Sequence, residues 1–258
     1  MSRMKKVFIC NDNVTSIFSA VYDAWKEERD EGSVGIVLRG NMEQELFCEY
    51  IESKEYEKKA IAVERMIQRN LGLDVYLDIY QAVLAHDKDK GNAILGTLLA
   101  ARQLPDSTKI MNHLSHPSVE KVFELSRRVG GEAHQFKGFL RFRELENGVL
   151  FAQIEPKSQV LTCIAGHFSD RLPLENFMIY DRSHKMFVVH EARHQWVLVL
   201  DEEADMEKMN RVSASQIEYE RLWKGFCESI SIKERENLLL QRQNLPLRYR
   251  KNVVEFGQ

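Results

Sequence analysis

The first proline in this chain is Pro105. A run that long without a ring to break the backbone ladder leaves the first hundred residues free to be mostly helical. Val7-Phe8-Ile9-Cys10 reads as a short strand, and Asn11-Asp12-Asn13 is a natural cap for the helix that follows. Val14, Ile17, Phe18, Val21, Tyr22 and Trp25 recur at helical spacing and make one apolar stripe. Gly35 to Leu38 and Leu46 to Ile51 read as short strands. Helices are expected over Tyr56–Asn70, Asp74–His86 and Lys90–Gln103, their apolar faces serving as core. No phosphate loop and no G-x-G-x-x-G occurs here, which argues against an ATPase or a dinucleotide enzyme.

From His116 the texture changes. Ser118 to Gly131 is predicted as a helix, and Phe139 to Leu145 as a strand. Glu146-Asn147-Gly148 contains the Asn-Gly step of a tight hairpin, and Val149 to Ile154 is the returning strand. Gln159 to Asp170 reads as a helix that stops before Pro173. Phe177–Tyr180, Met186–Val189 and Trp196–Leu200 read as strands, and the acidic run Asp201 to Asp205 as a solvated loop. Tyr219, Leu222, Trp223, Phe226 and Ile230 form a second helical apolar stripe. Ser231-Ile232-Lys233-Glu234 is a capping box for a last helix. The expected fold is α+β, with a helix-rich N-terminal region (1–85) and a second region (86–258). In the second region a mainly antiparallel sheet is flanked by helices.

Composition narrows the function classes. The chain has 258 residues, 44% hydrophobic and 29% charged, enough for a substantial core and unlike a disordered or collagen-like chain. The longest uncharged stretch of the first half, Ala93 to Ala101, is far short of the ~18 residues of a membrane span. The N-terminus lacks the apolar segment of a signal peptide, so a cytoplasmic protein without membrane attachment is expected. Cys10, Cys48, Cys163 and Cys227 are scattered, which fits free thiols and excludes a zinc ribbon or cluster built on local Cys spacing. A net charge of −3 gives no global case for a nucleic-acid binder, so any such case rests on local patches.

Several patterns bear on chemistry. His190-Glu191-Ala192-Arg193-His194 spells H-E-x-x-H, but a zinc protease needs that motif on a helix, and the flanks here are β-branched and aromatic. No metal site and no cofactor is therefore expected, even with Glu202 or Glu203 as a conceivable third ligand. Lys137-Gly138-Phe139-Leu140-Arg141-Phe142 begins like the aromatic strand of an RNA-recognition domain and then departs from it. As a strand, it would place Phe139, Arg141 and Arg143 on one face, an aromatic among arginines suited to a base and its phosphates. Arg127, Arg128, Lys137, Arg141 and Arg143 form a basic stretch interrupted only by Glu132. The tail Arg248-Tyr249-Arg250-Lys251 adds three cations and an aromatic. His134, His167 and Asp181 sit at predicted element ends and could supply acid–base chemistry.

These same residues carry a resemblance. Glu132-Ala133-His134, Gly138 to Phe142, Ala165-Gly166-His167-Phe168 with Arg171 and Pro173, Leu222-Trp223-Lys224, Ile232 to Arg235 with Asn237, and Leu245 to Lys251 are similar to the bacterial family called domain of unknown function 4130. The similarity runs from about residue 85 to the C-terminus, and the preceding residues resemble the extension found in DNA metabolism and DNA repair proteins that carry the domain. The sequence departs from the pattern at Gln135, at Phe177, and at His184, which stands where a D-x-x-R spacing from Asp181 would put arginine. The resemblance implies a role in DNA repair beside a radical SAM protein, and the domain also occurs fused to uracil-DNA glycosylase-like domains.

The expected function is thus a cytosolic DNA-binding protein of repair or DNA metabolism, working with a radical SAM partner. Phe139, Arg141, Arg143, Arg171, Arg248, Tyr249, Arg250 and Lys251 are the expected nucleic-acid contacts, and His134, His167 and Asp181 the candidate catalytic residues. The alternatives are a hydrolase or glycosylase-like enzyme using His167 and Asp181, and an adaptor for the partner that does not touch DNA.

Overall fold

The computed structural model describes residues 4–27, 32–41, 46–200, 211–230, 237–254 and 256. It divides into two compact units, Met1–Gly130 and Gly131–Gln258.

The first unit is built on a parallel sheet. Strand β1 (Lys5–Cys10) lies between β2 (Val34–Leu38) and β3 (Cys48–Glu52), and both neighbours run parallel to it. Helix α1 (Val14–Glu27) makes the crossover from β1 to β2, as a parallel pair requires. It starts where expected: the Asn13 side chain accepts from the Ser16 N–H at 2.7 Å. Its inward stripe, Ile17, Phe18, Val21 and Ala24, is fully buried. The expected strand at Leu46 begins two residues late, because Phe47 takes a left-handed φ of 62°.

Helices α2 (Glu57–Asn70), α3 (Leu73–Leu84) and α4 (Lys90–Ala101) follow. α4 is buried around most of its circumference, with Ile94, Leu95, Leu98 and Leu99 all in the core. Gly91 lets it approach β2 closely: a Cβ there would stand 2.6 Å from Ile36 Cγ2. Next to it, Asn92 Oδ1 accepts from the Ile36 N–H at 2.7 Å and satisfies an outward amide of this edge strand. Lys90 is buried too, yet none of its charge is wasted. Its Nζ donates to the Val83 and Ala85 carbonyls at 2.7 Å each, closing the end of α3, and pairs with Asp12 at 2.5 Å. The 3₁₀ turn Ser107–Asn112 then leads toward α5 (Pro117–Phe139).

The second unit holds a five-stranded sheet in the order β4 (Arg143–Glu144), β5 (Leu150–Ile154), β6 (Phe177–Asp181), β7 (Met186–His190), β8 (Val197–Leu200). It is mixed, which corrects the expectation of a mainly antiparallel sheet. β5 and β6 run parallel because α6 (Leu161–Arg171) connects them as a crossover helix, while the remaining pairs are antiparallel. The expected strand over Phe139–Leu145 is also corrected. Phe139 ends α5, and only Arg143–Glu144 pairs as a strand. The Asn-Gly turn forms as read, with Gly148 at φ 80°.

The pleat sorts the residues of β6 onto two faces. Phe177 stacks on His190 at 4.6 Å, and Tyr180 stacks on Phe187 at 4.4 Å in a cluster with Leu145 and Phe151. Each stack joins residues directly opposite in the β6–β7 register. The chain closes with α7 (Ala214–Ile230), α8 (Leu238–Asn244) and α9 (Leu247–Arg250). Asn237 caps α8 by accepting from Leu240 N–H at 3.0 Å. The acidic run Asp201–Asp205, with Glu202 and Glu203, and the Ser231–Glu234 capping box lie outside the described residues.

Candidate functional site

The last turns of α5 organise the second unit. Glu132 is 6% exposed, and a carboxylate so buried needs partners. It has three: the backbone N–H groups of Lys157 and Ser158 donate to it at 2.9 and 3.0 Å, and Arg248 Nη1 lies 3.3 Å away. One turn further along, Phe136 meets the Tyr249 ring edge-on at 4.9 Å, and Phe139 meets it at 5.7 Å. Burial pushes the Tyr249 phenol up; the Arg248 guanidinium opposes the shift and the Glu132 carboxylate adds to it. The motif around Glu132 and the C-terminal arginine motif are thus two halves of one contact. Of the expected nucleic-acid residues, Phe139, Arg248 and Tyr249 are engaged there. Arg250 donates to the Leu245 carbonyl at 3.1 Å and lies over the Phe256 ring, and Arg171 is exposed at the end of α6.

Three of the expected cations do come together. Arg141, Arg143 and Lys251 line one cleft of about 190 Å³, joined by Lys224 of α7, Gln153 of β5 and the Glu220 carboxylate. The supports differ. Arg141 donates to the Gly138 and Leu140 carbonyls at 3.0 and 3.3 Å, so the loop after α5 holds it in place. Arg143 stands on β4, and Lys251 follows α9, where its Nζ pairs with Glu155 at 2.9 Å. An exposed pair of that kind is worth only ~0–1 kcal/mol, so an anion entering the cleft can compete for Lys251.

A second concavity adjoins the first. A groove of about 640 Å³ is lined by Phe142, Tyr219, Leu222, Trp223 and Phe226, and it shares Arg141, Glu220 and Val254 with the cationic cleft. Phe142 is fixed from behind by edge-on contacts to Phe168 and Phe177 at 5.4 and 5.5 Å. The residues from α7 are the expected apolar stripe, and they are not core: Tyr219 is 67% exposed, Trp223 45% and Phe226 51%.

The candidate catalytic residues do not assemble. His134 is exposed on α5, and His167 is half-buried on α6 with its ring edge against Phe168 at 5.0 Å. Asp181 is sealed at the end of β6. It accepts from the backbone of Ser183 and His184 at 2.9 and 3.1 Å and binds His184 Nδ1 at 2.6 Å. Among the described residues no hydrogen bond or ion pair joins any two of the three. Asp181 and His184 together hold the β6–β7 turn. His184 is not among the expected site residues; in the sequence it stands out only as a departure from a D-x-x-R spacing.

The H-E-x-x-H residues are split as well. His190 closes β7, buried, with Nδ1 2.9 Å from the Glu175 carbonyl, whereas His194 lies exposed in the following turn. Among the described residues no group of three or more His, Cys, Asp or Glu is placed to hold a metal ion, and no helix is long and apolar enough to cross a membrane. Burial disfavours the thiolate at two of the cysteines. Burial, with Asp12 adding, pushes Cys10 up to about 12 against the opposing charges of Lys90 and Arg39, and burial raises Cys163.

No curated protein matches the chain. The family described as Domain of unknown function (DUF4130) matches residues 88–255, more than half of the sequence and all of the residues that shape the cleft and the groove. By that match, the chain is a member of the DUF4130 family.

Proposed function

We propose that this protein binds DNA in the course of repair or DNA metabolism, holding backbone phosphates in the cleft of Arg141, Arg143, Lys224 and Lys251. One observation carries the reading: cations more than a hundred residues apart in sequence line a single cleft. Four cations against one lining carboxylate favour an anion, and arginine's planar fork suits phosphate oxygens. Contacts of this type position a strand without reading its sequence. The partner in this reading is the radical SAM protein implied by the family resemblance, and the chemistry on the DNA is assigned to it. An independent hydrolase is the weaker reading, because among the described residues no hydrogen bond or ion pair joins His167 to Asp181, and the Asp181 carboxylate is fully buried on His184.

Fluorescence anisotropy with labelled single-stranded and duplex DNA at two salt concentrations tests the proposal. Binding that weakens steeply with salt supports it, since each neutralised phosphate releases condensed counterions. No binding to either DNA at low salt overturns it. Co-purification of the radical SAM protein with this chain tests the partner assignment.

A further inference from the structure

We infer that the aromatic groove beside the cationic cleft receives an unstacked base of the same DNA strand, so that the preferred substrate class is single-stranded or locally opened DNA rather than intact duplex. The inference rests on the DNA-binding reading and deepens it.

The first ground is the exposure of one helix face. Tyr219, Trp223 and Phe226 leave 67, 45 and 51% of their surfaces open on one helix. Large apolar patches of that kind on a soluble domain mark binding sites. The second is shape. Trp223 and Phe226 have ring centroids 5.7 Å apart and tilted by only 31°, and they share the groove with Phe142. Phe142 is locked by two edge-on aromatic neighbours, so that wall exists before any ligand arrives. Flat rings with one immobile wall suit the π-face of a base, and such stacking tolerates any base identity.

The third ground, charge complementarity, selects the occupant. The groove and the cation-lined cleft are neighbours that share Arg141, Glu220 and Val254 in their walls. A ligand filling both must join a flat apolar body to an anion, which is what a nucleotide unit is. The lining also holds one amide side chain. Gln216 lines the groove, and its amide donates to Glu220 at 2.9 Å while its oxygen accepts from the Glu144 N–H at 3.1 Å. Bases stacked within a duplex present only their edges, so a paired strand cannot fill the groove without opening.

The test compares four proteins: wild type, Trp223→Ala, Trp223→Phe and Arg143→Ala/Lys251→Ala. Each is titrated by anisotropy with a single strand, the matching duplex, and a single strand of the same length whose central nucleotides are abasic. The wild type is expected to bind the single strand best. Trp223→Ala is expected to lose roughly five- to hundredfold of single-strand affinity with an unchanged salt slope, and to bind the ordinary and abasic strands alike. Trp223→Phe keeps a ring and retains most of the affinity. In wild type the single strand quenches tryptophan emission, and in Trp223→Phe that quenching disappears.

Salt-dependent DNA binding with equal affinity for single strand and duplex, unaffected by Trp223→Ala, overturns this inference while the DNA-binding reading survives. Loss of all DNA binding overturns both. Trp223 emission that responds to anionic phospholipid vesicles but not to DNA assigns the groove to a lipid surface and also overturns it. Far-UV circular dichroism of each variant confirms that the chain is folded, and the Phe variant keeps the test decisive if the Ala variant is not.

Discussion

Helices α4 and α7 both carry periodic apolar residues, but they meet opposite fates. α4 is surrounded: its leucines and isoleucine are in the core, its lysine is buried against two carbonyls and an aspartate, and its glycine nests against Ile36. α7 keeps Tyr219, Leu222, Trp223 and Phe226 open, facing a groove that shares Arg141, Glu220 and Val254 with a cationic cleft. Hydrophobic periodicity thus says that a helix has a preferred face. It does not say whether protein or ligand covers that face. What separates the two cases is the polar company: Lys90 and Asn92 of α4 are bonded to backbone groups of neighbouring elements, while α7 presents Lys224 and Glu220 to the lining of a cleft.

Substitutions can break the comparison, and the largest effect belongs to Lys90. Lys90→Met strands two helix-end carbonyls and leaves Asp12 without its buried partner, so a loss of about 3–5 kcal/mol is expected in urea denaturation. A loss below about 1 kcal/mol would mean that the lysine is not the lock described here. Gly91→Ala comes next. Its methyl group must displace Ile36, a stiff β-branched core residue, and about 1–3 kcal/mol of destabilisation is expected. An unchanged midpoint would show that α4 and β2 can separate without cost.

A smaller effect distinguishes the first unit by pH. Burial by itself would raise Asp87, but hydrogen bonds from Lys121, the Asp89 backbone and Arg128 outweigh it and hold the carboxyl below its ordinary value. Its hydrogen bond to Asp87, opposed by partial burial, raises Lys121. A depressed carboxylate contributes stability that is full above its unfolded pKa and is lost as pH falls through the folded one. A raised lysine contributes stability that is full below its unfolded pKa and is lost as pH rises through the folded one. The acid loss therefore lies below about pH 4 and the alkaline loss above about pH 10. Asp87→Asn should flatten the acid limb of a Tm-versus-pH profile by no more than about 1 kcal/mol, and an unaltered acid limb would remove the pair from the account. The smallest effect belongs to α7. Trp223→Ala should shift the unfolding midpoint by less than about 0.5 kcal/mol, because an open side chain has little packing to lose. A loss as large as that of Gly91→Ala would mean that the stripe is core after all.

Much of the fold could be read from local patterns. The Asn13 cap, the α1 stripe and the Asn147-Gly148 turn form as their chemistry requires. Errors arose where tertiary packing overrode propensity. The sequence places a helix over Ser118–Gly131, and glycines in a helix interior cost up to about 1 kcal/mol each. α5 instead runs on to Phe139, with Val129, Ala133 and Phe136 all buried at helical spacing. That extension removes the strand on which Phe139, Arg141 and Arg143 would have shared a face. It brings Phe136 and Phe139 to Tyr249 instead. A helix between two strands is the pattern of a parallel pair, as β5, α6 and β6 show, while the hairpin signals on either side are those of antiparallel pairs. At the site, the cations were visible as residue types, but Lys224 and the groove were not, since only folding brings α7 beside the loop after α5. Glu132 stood out as the one acid in a basic stretch, and its burial against Arg248 explains why it is there.

The most direct measurement is the salt dependence of DNA affinity for wild type and for Arg143→Ala/Lys251→Ala, from the slope of log K against log salt. If the cleft holds phosphates, the double variant binds all sequences more weakly and its slope is shallower by about 2, one for each lost contact. An identical slope in the two proteins would contradict the account, because the cations of the cleft would then be touching no phosphate.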